Sequence, residues 1–286
     1  MRFIPKLDIK SNNLVKGCNL EGLRVLGKPE VFAKYYYDNG ADELIYQDVV
    51  ASLFGRNALY EIITKTAKEV FIPLTVGGGI SSLDDVKKIL RCGADKVAIN
   101  TAAIKNPSLI KDMAHTFGSS TIVLSIEAMR ESDGCYTCYT DNGRNPTGKS
   151  VVDWVKEACS LGVGEVLLTS INNEGTGRGI DLDLVESVSQ CINVPLIVHG
   201  GVGKKEHVTN LYKNQNTSIS GFALASLLHY ECANRFFKDE TIIDGNVDFL
   251  TKNRMPKSIQ PCSISELKVY CRQKGMQCRL EDVEYV

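Results

Sequence analysis

The 286-residue chain carries 33 basic and 34 acidic side chains, a formal charge of −1, and 43% hydrophobic residues. That balance gives no electrostatic footprint for nucleic acid, and no apolar run approaches the roughly 20 residues that a membrane helix needs. Met1-Arg2-Phe3-Ile4-Pro5 passes directly into a strand pattern, which predicts a cytoplasmic protein without a signal peptide.

In chain order, short runs rich in Val, Ile and Leu predict strands at Phe3–Ile9, Glu43–Asp48, Pro73–Val76, Lys96–Ile99, Thr121–Glu127, Glu165–Thr169, Pro195–Val198 and Gly221–Ala225. They show little alternation, as parallel strands covered on both faces do. Amphipathic stretches between them predict helices at Pro29–Asn39, Asn57–Lys68, Leu83–Arg91, Pro107–Phe117, Val151–Leu161, Leu182–Cys191, Lys205–Tyr212 and Ile264–Lys274. Ser81-Ser82 offers a hydroxyl cap before Asp84-Asp85, and Asn106-Pro107 places proline at a helix start. Gly40-Ala41-Asp42, Gly93-Ala94-Asp95 and Gly162-Val163-Gly164 each end a helix and lead into a strand. Eight such units predict an α/β fold of the closed (β/α)₈ barrel type, in one domain over 1–286.

The two halves of the chain, about 1–118 and 119–235, mirror each other. Asp8 ends the first strand and Glu127 the fifth. Gly77-Gly78-Gly79-Ile80 follows the third and Gly200-Gly201-Val202-Gly203 the seventh. Asn100-Thr101 follows the fourth, and Ala225-Ser226 ends the eighth and leads into a short turn. The offsets of 119, 122 to 123 and 125 residues predict two similar half-barrels with matching groups on opposite sides of one rim. Met129–Lys149 departs from the pattern and reads as a hairpin around Asp141-Asn142-Gly143. Phe236–Pro261 reads as a surface excursion before the last helix, within a C-terminal stretch of 236–286.

Cys92, Cys159, Cys191 and Cys271 fall in helical segments as small apolar residues. Cys135-x-x-Cys138, without a second pair or a nearby histidine, is weak evidence for zinc and reads as reduced thiols in the hairpin. No metal or cofactor is implied.

Consecutive glycines let backbone N–H groups approach an anion, and a helix N-terminus favours negative charge. Gly78 and Gly79 with Asn100 and Thr101, and Gly200 and Gly201 with Ala225 and Ser226, therefore predict two phosphate sites spanned by one elongated bisphosphate. Asp8 and Glu127 are the candidate acid/base pair for its middle, because carboxylates at strand C-termini face a pocket rather than a core. The competing reading of Asp8 is an ion pair with Lys6, Lys10 or Lys16. Lys16, Asp48, Thr169 and the loop with Glu174 and Gly175 are candidate ligand contacts.

Phe71–Ile80, Gly93–Ala103 and Glu165–Ser170, with Leu14–Gly17 and Gly40–Leu44, resemble the cyclase subunit of imidazole glycerol phosphate synthase, the HisF family of histidine biosynthesis, over almost the whole chain. The resemblance implies a lyase and cyclase that takes ammonia from a glutaminase subunit (HisH-like) docked on the N-terminal barrel face. It converts a ribonucleotide with a phosphate at each end to imidazole glycerol phosphate and an aminoimidazole carboxamide ribonucleotide. It places the first catalytic aspartate at Asp8, and a charged ring gating the ammonia entrance at Arg2, Glu43, Lys96 and Glu165. The chain departs from the family at Glu127, where an aspartate is usual, at Lys6, usually cysteine, at Asn172 and Glu174, usually aspartates, and at His199, usually small. Those departures also resemble paralogues that conduct ammonia for sugar amidation in surface-polysaccharide synthesis. A sugar-phosphate isomerase of the sister family matches less well.

Overall fold

Eight of the Val/Ile/Leu-rich runs form the wall of a closed parallel barrel in the computed structural model, which describes residues 1–50, 57–214, 217–238 and 256–280. Among the described residues the strands are β1 (Arg2–Lys10), β2 (Asn13–Cys18), β3 (Glu21–Gly27), β4 (Leu44–Asp48), β5 (Leu74–Gly77), β6 (Lys96–Ile99), β7 (Ile122–Arg130), β8 (Tyr136–Thr140), β9 (Asn145–Ser150), β10 (Glu165–Ser170), β11 (Leu196–His199) and β12 (Gly221–Leu224). The wall runs β1-β4-β5-β6-β7-β10-β11-β12 and closes from β12 back to β1, every pairing parallel. The helices are α1 (Pro29–Asp38), α2 (Asn57–Thr66), α3 (Leu83–Arg91), α4 (Thr101–Lys105), α5 (Ser108–Phe117), α6 (Val151–Leu161), α7 (Leu182–Ser189), α8 (Lys205–Lys213), α9 (Ser226–Lys238) and α10 (Ile264–Gln273).

Local sequence explains how helices hand over to strands. Gly40 and Gly93 sit at φ 83° and 113°, a left-handed conformation that ends a helix without a Cβ clash. The aspartate two residues on then accepts a strand N–H: Asp42 from Phe3 at 2.8 Å, Asp95 from Leu74 at 2.8 Å. The main core lies between the wall and the helices. It includes Phe3, Phe32, Tyr36 and Trp154, all essentially unexposed. Each such side chain contributes on the order of 1.5–3 kcal/mol by leaving water. A second, smaller apolar cluster of Ile4, Ile45, Ala98, Val123, Leu167, Ile197 and Ala223 fills the barrel interior as a single layer.

Two hairpins rise from the C-terminal rim. The expected one extends β7 antiparallel to β8, which pairs with β9. The other, β2 with β3, was not anticipated; it turns at Asn19 and Leu20, both at positive φ (51° and 64°). Ser226 is also not followed by a short turn. It opens α9, a 13-residue helix whose Leu227, Leu228, His229, Tyr230, Cys232 and Ala233 are buried. Residues 239–255 of the anticipated excursion, including Asp244-Gly245-Asn246, lie outside the described residues. After them, Gln260 donates its N–H to the Gly203 carbonyl at 2.7 Å. Helix α10 then docks at the opposite end of the barrel through Lys268, which bonds the Gly40 carbonyl and Asp42 at 2.7 Å each. All ten cysteines are unbridged.

Candidate active site

Alternate residues of a strand share one face, so Arg2, Ile4, Lys6 and Asp8 of β1 line the barrel interior in successive tiers. At the N-terminal end, Arg2 bonds Glu43 and Glu165 at 2.6 Å each, and Lys96 bonds the same two carboxylates at 3.1 and 2.9 Å. The four anticipated charges thus form a closed ring of alternating sign. This satisfies each carboxylate oxygen and offsets much of the desolvation of Glu43 and Glu165, which are 6% and 4% exposed. Next comes the apolar layer, and above it a polar tier leading to the mouth.

Asp8 and Glu127 stand at the mouth on β1 and β7, four strands apart around the wall and both buried. Their surroundings differ. Burial alone would raise the Asp8 carboxyl, but Lys6, which bonds it, and then Lys16 overcome burial and hold it below its ordinary value. Burial dominates at Glu127 and pushes it up to about 7, against the N–H of Gly143 and the charge of Lys6. The longer Glu127 side chain is thus taken up by the hairpin turn, Gly143 donating to Oε2 at 2.8 Å. That turn is anchored over the mouth. Asn100 donates to the Tyr139 carbonyl at 3.0 Å, Asp141 donates its N–H to Thr101 at 3.2 Å, and Asn142 reaches the Leu20 carbonyl of the other hairpin at 3.2 Å.

A cavity of about 380 Å³ opens beside Glu127, lined among others by Asp48, Gly78, Gly79, Asn100, Thr101 and Ser125. Gly78, at φ 104°, lies so close to Asp48 that a Cβ would overlap its backbone. Ser82 caps α3 just beyond this loop by accepting from the Asp85 N–H at 3.2 Å. On the other side, Gly200 and Gly201 bring β11 against the loop after β10, and Ala225 and Ser226 lie buried at the start of α9. The Gly203 N–H is already taken by His207 Nδ1 at 3.2 Å. Gly201 has φ 90°, and a Cβ there would run into the Gly179 carbonyl oxygen. Gly201→Ala is therefore expected to cost about 1–3 kcal/mol of stability, read as a lower urea midpoint. An unchanged midpoint would mean that the loop yields.

Lys16 and Glu174, anticipated as ligand contacts, bond each other in full burial. Gly175 packs on Gly17, and Thr169 pairs with Glu127 across β10 and β7. Sequence reasoning left Lys6 as one of three lysines that could pair with Asp8 and His199 as a departure without a role, and it missed the hairpin N–H at Gly143. His199 Nδ1 bonds the Ala223 carbonyl at 2.9 Å, leaving Nε2 at 3.8 Å from Glu174, and burial lowers the imidazole to about 4. Lysine and histidine within inward-facing strand tiers were the available signal.

Residues 2–234 match the family described as histidine biosynthesis protein. The chain is 59% identical over 206 residues to the imidazole glycerol phosphate synthase subunit HisF of Legionella pneumophila, spanning 72% of this chain and 97% of that one. It is 44% identical over 229 residues to the same subunit of Streptococcus sanguinis (strain SK36), spanning 80% and 90%, and 44% identical over 229 residues to that of Streptococcus mutans serotype c, with the same shares. A barrel wall formed by the matched residues, carrying a carboxylate at each of two opposed strand ends, belongs to the histidine biosynthesis protein family, and this chain is a member of it, of the imidazole glycerol phosphate synthase subunit HisF type.

Proposed function

We propose that the chain works in the cytoplasm as one (β/α)₈ domain that uses ammonia to cleave and cyclise a ribonucleotide with a phosphate at each end. The products are imidazole glycerol phosphate and an aminoimidazole carboxamide ribonucleotide. The observation that carries this reading is the pair of buried carboxylates, Asp8 and Glu127, facing each other across the mouth between two glycine loops. Carboxylates whose surroundings push them apart in acidity can divide acid and base work. Gly78, Gly79, Asn100 and Thr101 would hold one phosphate. Gly200, Gly201, Ala225 and Ser226, at the N-terminus of α9, would hold the other. Asp48, Thr169 and the Lys16–Glu174–Gly175 group would shape the space between. Purified protein supplied with the bisphosphate ribonucleotide and an ammonium salt at high pH, with no glutaminase present, should release both products. No turnover, with a glutaminase still stimulated, would favour ammonia conduction for sugar amidation instead. The names of the matched relatives speak for the synthase.

The partner in this reading is a glutaminase that docks around Arg2, Glu43, Lys96 and Glu165. An apolar layer above a charged ring suits an uncharged molecule such as ammonia, because an ion would lose its hydration there. Co-expression with a Cys-His-Glu glutaminase should give a complex on size-exclusion chromatography. Lys96→Glu, which puts three acids around Arg2, should weaken it at least about tenfold, since like charges brought together at an interface cost several kcal/mol. Separate elution of the wild-type pair would argue for a free-standing enzyme.

A further inference from the structure

We propose that Lys6 is a positioning residue that holds Asp8 as a fixed carboxylate, leaving Glu127 as the group that exchanges protons with the ligand. This rests on the cyclase reading above and assigns separate tasks within it.

The geometry begins with strand periodicity. Ile4 lies in the interior apolar layer, so Lys6 and Asp8, two and four residues on, stand in the next tiers of the same face. Lys6 is 5% exposed. A buried ammonium needs a counter-charge, and its Nζ bonds Asp8 Oδ1. The backbone of Lys6 is fixed as well. Its carbonyl is bonded by His229 Nε2 at 2.8 Å, and His229 Nδ1 meets the Tyr36 hydroxyl at 2.7 Å. The lysine is therefore held at both ends, with Asp8 as its one acidic partner among the described ion pairs.

The two carboxylates face different company. Toward Asp8 point Lys6 from its own strand, Lys16 from β2 and His199 from β11. Toward Glu127 point the Gly143 N–H and Asp141 from the hairpin, with Lys6 and Asp8 across the mouth. Asp8 thus meets two ammonium groups, one of them in direct contact. Glu127 meets two acids and a single lysine already engaged by one of them. Burial raises both carboxyls, but Lys6 and then Lys16 outweigh it at Asp8 and hold that group down, whereas at Glu127 burial prevails and lifts it to about 7. A carboxyl that titrates near neutral pH can both take and return a proton, whereas one locked to a lysine remains an anion and serves best to stabilise positive charge on a reacting nitrogen.

Carbon-13 NMR of carboxyl-labelled Asp and Glu, on the full chain without ligand, reads this directly. Asp8→Asn and Glu127→Gln assign the two signals. In the wild type, Glu127 should titrate near pH 7, while Asp8 stays ionised down to the acid range. Lys6→Met, similar in length and uncharged, should raise the Asp8 transition by about 1–3 pH units. Lys6→Arg should keep it low. In ammonia-driven turnover with free ammonia held constant, Lys6→Met should lower kcat by about 10- to 100-fold with little change in KM. The limb near pH 7 should move with Glu127→Asp and not with Asp8→Glu. An Asp8 signal that ignores Lys6→Met, or that titrates near neutrality in the wild type, overturns the assignment. Absence of turnover with the expected titrations would instead count against the cyclase reading alone.

Discussion

Asp8→Asn and Glu127→Gln are each expected to lower ammonia-driven turnover by about 10²–10⁴-fold, the size of loss that follows removal of a fixed stabilising charge or of a positioned proton-exchanging group. The two losses should differ in kind. An amide at 127 keeps the acceptor for the Gly143 N–H but cannot take a proton, so the limb near pH 7 should vanish while the fold stays intact. An amide at 8 removes the charge that Lys6 and Lys16 both face, so lost turnover should come with lost stability. The pH dependence separates them further. A lowered carboxyl such as Asp8 contributes stability above its unfolded value of 3.8, lost as pH falls through the folded one. A raised carboxyl such as Glu127 does the reverse, its cost growing as pH rises from 4.5 toward about 7. Glu127→Asp should preserve or raise turnover, because aspartate is the acid that the family resemblance implies at this position. Initial rates corrected for folded fraction decide this, and wild-type turnover in either amide variant would remove that residue from the chemistry.

The fold was legible because its wall is written locally. Each parallel strand is an apolar run, and three helix ends carry a glycine signal, two of them with the Asp that bonds the next strand, so most of the barrel is written locally. The ring of Arg2, Glu43, Lys96 and Glu165 was legible only through resemblance, since four separate strand starts assemble it. What escaped depends on tertiary contact. The β2–β3 turn uses Asn19-Leu20, where local rules ask for Asn-Gly. Leu20 tolerates φ 64° while its side chain is buried beneath the hairpin at Gly143. Helix α9 hid because its first turns are buried on several faces, so Leu227–Tyr230 shows no amphipathic period. The bond between Lys6 and Asp8 lies within reach of sequence reasoning, two residues apart on one strand face, but three lysines competed for it and only packing chooses.

Glu174→Gln is expected to destabilise the protein by about 3–5 kcal/mol at pH 7, the cost of stripping a buried charge of its partner. Lys16 and Glu174 are 158 residues apart in the chain and each side chain is 1% exposed. Without the carboxylate, Lys16 keeps the Gly17 carbonyl at 3.0 Å and the more distant Asp8. In the native protein burial works to lower the lysine, but Glu174 and then Asp8 outweigh it and raise it above 10.5. The sign follows by linkage. A raised lysine contributes stability that is complete below 10.5 and is lost as pH climbs through the folded value. In Glu174→Gln the main opposing attraction is gone and burial pushes the lysine down, so the variant should recover stability with rising pH. The gap between the two proteins in urea unfolding should therefore narrow from pH 7 to pH 10. A gap below about 1 kcal/mol, or one that widens, would show that the pair does not hold these loops together. The double variant Lys16→Met, Glu174→Leu supplies the control. With both charges removed and the volume kept, stability should return to within about 1 kcal/mol of the wild type or exceed it, because the penalty belongs to the orphaned ammonium and not to the missing bond.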